Sequence, residues 1–214
     1  MKLFAEHRHF WTQPRKRSLY LGLLFLAVAL VVQVNVGRYS ARSVTSFVGD
    51  LFLDNLPTVD LDFVIVEGAL IMVLLGGLLF IFKPRYLLFG LKAVSLFIIV
   101  RSFFVSLTHI GIYPRQLVFD EGIGSTLYYF LDFQGNFFFS GHTALPFLMA
   151  LILWREQFWR WFFLAVSALF GLSVLLAHVH YSIDVFAAPF MSYGVFKIAQ
   201  YLFSEDYGII TSEG

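Results

Sequence analysis

The sequence has 214 residues, of which 59% are hydrophobic and only 14% are charged. Soluble domains average about 45–50% apolar and about 25% charged residues, so this composition excludes an ordinary water-soluble domain. The 15 basic and 14 acidic residues leave a net charge of +1, which does not provide the basic surface of nucleic-acid-binding proteins. Because the chain has no cysteine, disulfides, thiolate metal ligands and a cysteine nucleophile are excluded.

Six apolar segments of about membrane-spanning length follow one another along the chain. The first, Ser18–Gly37, has no charged residue, is long enough to cross a hydrocarbon core of roughly 30 Å, and is not followed by a signal-peptide cleavage pattern. The others are Phe63–Phe82, Tyr86–Leu107, Phe137–Trp154, Trp161–Val179 and Val185–Phe203. The sequence therefore predicts an all-α fold, a six-transmembrane-helix bundle, with one catalytic membrane domain at residues 18–203.

The basic residues favour one end of the predicted spans. Lys and Arg are retained on the cytoplasmic side of a membrane, and an inside N-terminus places nine of the fifteen there and three on the opposite side. We therefore expect residues 1–17 and 204–214 to be cytoplasmic tails of a multi-pass plasma-membrane protein, in a bacterial inner membrane. A Golgi-type membrane with a luminal site is the alternative.

Four of the six histidines, His109, His142, His178 and His180, map to the outer ends of the predicted spans. A single histidine at a helix end is most simply an interfacial polar residue, because its ring is amphipathic. Four histidines at one depth favour a functional site instead, since ionisable groups at membrane depth are costly.

Two short segments on this outer face carry residues suited to phosphate chemistry. Ser140–Thr143 precedes an apolar run, so that a helix N-terminus there would offer amide donors and a partial positive charge to an anion. In the second segment, Asp184 lies four residues after His180, a spacing that allows its carboxylate to orient and polarise the imidazole. Folding of the bundle can then bring His142 opposite His180.

An anion site between two imidazoles and a carboxylate suits phosphoryl transfer. One neutral histidine can attack phosphorus in line, the carboxylate can stabilise the resulting cation, and a protonated second histidine can protonate the leaving alkoxide. This scheme requires no metal and no other cofactor. A zinc site of His142, His178, His180 and Asp184 is the alternative, although no familiar helical zinc spacing is present.

Both segments resemble motifs of a known family. Residues 135–143 read G-N-F-F-F-S-G-H-T, and residues 177–185 read A-H-V-H-Y-S-I-D-V. They resemble the G-D-x-x-x-S-G-H-T and A-H-x-H-Y-T-x-D-V motifs of sphingomyelin synthases, within the wider superfamily of type 2 phosphatidic acid phosphatases. Arg101, Thr108 and Pro114 partly match a third family segment, in which Gly111 stands in place of a proline. The resemblance implies six membrane spans and an outward-facing site.

The resemblance also implies roles for individual residues. His180 would be the nucleophile, Asp184 its partner, and His142 the acid for the lipid leaving group. Asn136 replaces the usual Asp of the first motif and Ser182 the usual Thr of the second, which leaves the head group and the acceptor open.

Phosphatases of the wider superfamily usually have two further features that this chain does not match. They carry a K-x6-R-P motif, whereas Lys92 and Arg101 have a different spacing and no following proline. They also carry an S-R pair before the second histidine, whereas Ser173 is followed by Val174. These differences favour the synthase-like branch.

Further polar residues are candidates to hold the phosphate and the head group. Arg101 lies near the outer end of a span and can bind phosphate bidentately, while Arg115 is either a second phosphate ligand or a solvated loop charge. Glu67 could bind an amine head group, but an ion pair with Arg101 is the favoured interpretation. The complete predicted binding set is Ser140, Gly141, Thr143, Arg101, Arg115, Tyr181, His178 and Glu67.

The sequence thus predicts a membrane enzyme that transfers or hydrolyses the phosphorylated head group of a glycerophospholipid at the extracytoplasmic leaflet. Its partners would be a phospholipid substrate, surrounding membrane lipids and, for transfer, a lipid alcohol acceptor, with no nucleic acid. One alternative is a lipid phosphate phosphatase acting on phosphatidate or polyprenyl diphosphate. A second is a non-enzymatic lipid-binding or transport protein.

Overall fold

The computed structural model describes residues 10–43, 45–118 and 138–212, and within these ranges the chain forms α-helices and no β-strand. The predicted all-α class is confirmed for this part of the chain. The helices are α1 (Gln13–Arg42), α2 (Asp62–Phe82), α3 (Pro84–Leu107), α4 (Gly141–Ile152), α5 (Gln157–Leu176), α6 (Ser182–Leu202) and α7 (Ser204–Ser212).

Four of these helices, α1, α2, α3 and α5, are long and apolar enough to cross a membrane. This finding confirms the expected membrane character, but it does not confirm the predicted count of six spans. Helix α4 has 12 residues, which is about 18 Å and shorter than the hydrocarbon core of roughly 30 Å. Helix α6 has 21 residues, but its polar side chains, including Asp184, Ser192 and Lys197, reduce its hydropathy.

Helix α3 organises the bundle. It packs along α1 and also contacts α2, α4, α6 and α7, while α4 is packed between α5 and α6. A Cβ at Gly90 would lie 2.4 Å from the ring of Phe80, so glycine at this position lets α2 and α3 meet closely. Because most of α4 is buried by its neighbours, this short helix can lie at membrane depth without exposing its ends to lipid.

Ion pairs join helices at the end of the bundle that holds the α2–α3 and α4–α5 connections. Lys92 of α3 pairs with Asp206 of α7 at 2.5 Å. Glu156, between α4 and α5, accepts a hydrogen bond from Arg85 at 2.6 Å. Residues 204–212, predicted only as part of a tail, therefore include a helix that is attached to the bundle, and its side of the membrane stays a prediction.

Two connections at the opposite end, residues 45–61 and 108–118, form what we call the cap. The N–H of Gly111 donates to Ser46 at 3.0 Å, and the N–H of Leu117 donates to Ala177 at 2.9 Å. The cap is thereby joined internally and to the α5–α6 turn. A Cβ at Gly111 would lie 2.6–2.7 Å from the backbone of residues 45–47, so only glycine lets these two segments of the cap meet this closely.

Candidate active site

The α5–α6 turn holds His180 against Asp184. The turn occupies residues 177–181, and α6 begins directly after it, so that Asp184 lies in the first turn of the helix. The Oδ2 atom of Asp184 accepts the N–H of Tyr181 at 3.2 Å and lies 3.3 Å from Nδ1 of His180. Since an ionised carboxylate only accepts, this contact favours the tautomer with the proton on Nδ1 and the lone pair on Nε2 of His180. Both side chains are buried.

The start of α4 brings the first motif to this pair. The N–H of Ser140 donates to the backbone carbonyl of Asp184 at 3.0 Å, which joins the two motifs directly. Ser140 also caps α4, because its hydroxyl accepts the N–H of Thr143 at 3.5 Å. The ring centroids of His142 and His180 lie 6.1 Å apart at an angle of 66°. The two predicted catalytic histidines therefore face each other across a short gap.

His142 is held by two further helices. A backbone hydrogen bond joins its ring to Ile65 of α2. The ring of Phe170 in α5 lies 6.1 Å from the His142 ring, edge to face. Residues from α2, α4, α5 and the α5–α6 turn thus fix this imidazole, which limits its rotation opposite His180.

Arg101 is buried beside the start of α4. Its Nε donates to the carbonyl oxygen of Phe139 at 3.0 Å. A Cβ at Gly141 would lie 3.5 Å from this Nε, so the guanidinium runs alongside the first residue of the helix. A fixed positive charge is therefore added to the positive end of the helix dipole, next to His142, and both favour an anion there.

Thr143 occupies the interface between α4 and α5. Its hydroxyl oxygen would lie 3.4 Å from a Cβ at Gly171, and it has no hydrogen-bond partner among the described residues. The Thr143 carbonyl accepts a hydrogen bond from Ser167 at 2.8 Å. The binding role predicted for Thr143 stays a prediction.

His178 and Tyr181 direct their polar atoms to the cap. Nδ1 of His178 lies 3.2 Å from the hydroxyl of Thr58, and its ring contacts the edge of Tyr113. Burial and the nearby positive charge of an arginine in the cap lower the pKa of His178 below its ordinary value. The hydroxyl of Tyr181 donates to the carbonyl of Gly111 at 2.8 Å. Both residues therefore attach the α5–α6 turn, the catalytic turn that carries His180, to the cap.

Arg115 and Glu67 lie apart from Arg101. Arg115 belongs to the cap, where its Nη2 donates to the carbonyl of Asp54 at 3.3 Å. Glu67 of α2 is half-buried and has no hydrogen bond or ion pair among the described residues. The favoured interpretation of Glu67, an ion pair with Arg101, was therefore wrong, because the Arg101 guanidinium runs along Phe139 and the start of α4.

The four outer histidines do not form a single cluster. His142 and His180 face each other, His178 contacts the cap, and the ring of His109 lies 5.6 Å from Tyr39 of α1. Across residues 10–43, 45–118 and 138–212, no three or more His, Asp or Glu side chains form a group that could hold a metal ion. The zinc alternative thus has no assembled ligand set in that part of the chain.

Asp50 is a residue of this region that the motifs did not reveal. It lies buried in the cap and accepts the N–H of Ser182, the first residue of α6, at 2.8 Å. The only sequence signal was its place, with Asp54 and Asp60, in the polar connection between the first two predicted spans. Gly135 and Asn136 of the first motif lie outside the described residues.

Residues 135–201 match the family model described as PAP2 superfamily C-terminal. The match covers both motifs and supports the wider PAP2 superfamily, whose members are phosphatases and phosphotransferases acting on lipid phosphoesters. The predicted enzyme class is confirmed at this level, whereas the sphingomyelin synthase-like branch is not. No curated protein and no solved structure gave a significant match to the chain.

Proposed function

We propose that this protein is a lipid head-group phosphotransferase or phospholipase-C-like enzyme that acts on glycerophospholipids with His180 as its nucleophile. The observation that supports it best is the His180–Asp184 pair facing His142, with the Arg101 guanidinium beside the start of α4. This arrangement supplies a nucleophile, an acid and a positively charged phosphate site within one group of side chains, of which His142 is half-buried and the others are buried.

The phosphate would bind between Arg101 and the N-terminus of α4. A guanidinium forms strong charge-assisted hydrogen bonds with phosphate oxygens, and the first amides of a helix favour the same anion. Gly141 lies between the two, since a Cβ there would be in van der Waals contact with Nε of Arg101 at 3.5 Å. The phosphorus would then lie between His142 and His180.

The first chemical step breaks the bond between phosphorus and the glycerol oxygen. Nε2 of His180 attacks phosphorus in line, a P–N bond forms, and the leaving alkoxide takes a proton from His142 to give diacylglycerol. Asp184 stabilises the positive charge that develops on the His180 ring, as its 3.3 Å contact with Nδ1 allows. In the second step His142 takes a proton from the acceptor alcohol or from water, whose oxygen attacks phosphorus and releases His180.

We place this chemistry at the extracytoplasmic leaflet. The site lies at the end of the bundle where α4 and α6 begin, opposite the ion pairs of Lys92 and Glu156. Basic residues predominate at that opposite end, which by the positive-inside rule supports a cytoplasmic position for it.

Glu67 is the candidate ligand for a cationic head group. It belongs to the turn of α2 in which the backbone of Ile65 is hydrogen-bonded to the His142 ring, so its backbone lies near the site. A carboxylate at membrane depth is costly, and Glu67 has no ion pair among the described residues. A choline or ethanolamine group of a bound lipid would neutralise this charge.

A lipid panel tests the proposed function. Purified protein is incubated with labelled phosphatidylcholine, phosphatidylethanolamine, phosphatidylglycerol and phosphatidate, with and without a lipid alcohol acceptor. We expect diacylglycerol from the lipids with a head group, and expect Glu67→Gln to lower kcat/KM about tenfold only for the two cationic head groups, the effect of losing about 1.4 kcal/mol. The matched control is Asp60→Asn, which changes an exposed carboxylate of the cap and should leave kcat/KM for both cationic head groups unchanged.

The same panel distinguishes the alternatives. Diacylglycerol from phosphatidate alone would identify a lipid phosphate phosphatase, the second candidate, which the superfamily match supports equally. An equal loss on all lipids in Glu67→Gln would contradict the head-group role of Glu67. Binding of lipids without turnover of any of them would favour a binding or transport protein.

A further inference from the structure

Asp50 joins the cap to the catalytic turn through a buried carboxylate. Its Oδ2 accepts the N–H of Ser182 at 2.8 Å, and its Oδ1 accepts the N–H groups of Phe52 at 2.9 Å and Leu53 at 3.1 Å. Burial raises the pKa of Asp50, but the hydrogen bonds with Ser182, Leu53 and Phe52 outweigh it, so that the pKa lies below its ordinary value. The group is therefore an ionised acceptor shared by two segments of the chain.

The hydrogen bond from Ser182 to Asp50 holds the backbone between His180 and Asp184. Ser182 is the first residue of α6, and the first N–H groups of a helix have no partner within it. Asp184 accepts the preceding N–H, that of Tyr181, and Asp50 accepts the next from a segment 132 residues away. Two carboxylates thus hold consecutive amides of the turn that carries His180.

Asp50 is itself fixed by both segments of the cap. Its own N–H donates to Oδ2 of Asp54 at 3.0 Å, and Oδ1 of Asp54 accepts the hydroxyl of Tyr113 at 2.7 Å. Arg115 donates to the same Tyr113 hydroxyl at 3.3 Å. A continuous series of hydrogen bonds therefore leads from residues 113–115 to the start of α6.

We infer that Asp50 is a positioning residue that holds the α5–α6 turn so that Nδ1 of His180 stays on Asp184 and Nε2 points at the phosphorus. The chemical part of this inference depends on the proposed function, whereas the effect on the His180 ring does not. The side chain of Asp50 accepts hydrogen bonds from Ser182, Phe52 and Leu53, whereas the phosphate would bind at Arg101, so the loss of Asp50 should change kcat more than KM. A displacement of about 1 Å in such a site can reduce the rate about 100-fold.

Kinetics of three variants test this inference. We expect Asp50→Ala to lower kcat about 10–100-fold with KM for the lipid within about twofold. Asp50→Asn retains one oxygen that can accept the Ser182 N–H and should recover part of the lost kcat. Asp60→Asn, the matched control, alters an exposed carboxylate of the same cap that accepts the N–H of Asp62 and should keep the wild-type kcat. An unchanged kcat in Asp50→Ala, or an equal loss in Asp60→Asn, would overturn the inference.

Nitrogen-15 NMR of histidine-labelled protein tests the same inference without turnover. His180 is assigned by comparison with His180→Ala. We expect a single tautomer with the proton on Nδ1 in wild type and Asp60→Asn, and a mixture of tautomers in Asp50→Ala. The same tautomer in all three would contradict the positioning role even if the enzyme is active. If no lipid is turned over but Asp50→Ala alone shows the mixture, the proposed function fails and the positioning role stands.

Discussion

Replacement of His180 by alanine is expected to lower the turnover of phosphatidylcholine by at least about 10⁴-fold, because the attacking nitrogen is removed and Asp184 cannot replace it. The fold should survive, since the backbone of the α5–α6 turn is held by Asp184 and Asp50 rather than by the imidazole. The measurement is kcat/KM with labelled lipid in detergent micelles, together with the melting temperature of each variant.

His109→Ala is the control for the His180 variant. His109 belongs to the same outer set of histidines, but its ring contacts Tyr39 and not the site. We expect activity within about twofold of wild type for this control. A folded His180→Ala protein with normal turnover would exclude His180 as the nucleophile.

Replacement of His142 by glutamine is expected to reduce turnover in a way that depends on the leaving group. Loss of a general acid costs about 10²–10⁴-fold, and a glycerol alkoxide needs the proton. A nitrophenyl ester of the same phosphorylated head group has a leaving group that needs no proton, so the release of nitrophenolate in the first turnover should fall less than about tenfold. The measurement is the ratio of the first-turnover rates on the two substrates in wild type and His142→Gln, because later turnovers also need His142 as the base of the second step.

Equal losses on the two substrates would contradict the role of His142 as an acid. Phe170→Leu provides the control, because it removes the ring that contacts His142 while leaving the imidazole in place. This variant should keep the wild-type preference between the two leaving groups.

Much of the fold was predictable because helices in a membrane are encoded locally. The predicted segment Phe63–Phe82 corresponds to α2 at Asp62–Phe82, and Tyr86–Leu107 corresponds to α3 at Pro84–Leu107. The fourth predicted span, Phe137–Trp154, was too long, because the helix in this segment, α4, has only 12 residues. An apolar run does not distinguish a helix facing lipid from a shorter one buried among its neighbours.

The juxtaposition of the two motifs was also predictable in outline. Ser140 and His180 both stand near the start of an apolar segment on the same side, and the structure joins Ser140 to Asp184 by a backbone hydrogen bond. The contact between Asp50 and Ser182 was not predictable, because no local pattern links a loop carboxylate to a helix start 132 residues away. The Glu67 pairing failed for a related reason, since the direction of Arg101 is set by Phe139 and Gly141.

The central claim is a covalent intermediate on His180, and trapping it tests this claim most directly. Wild-type protein is mixed with phosphatidylcholine labelled on phosphorus, quenched in alkali, where a P–N bond to histidine survives, and digested for mass spectrometry. We expect the labelled head group on the peptide that contains His180, with one diacylglycerol released for each site labelled and no label in His180→Ala. Label on His142 instead, or active wild-type enzyme that never carries label, would contradict the account.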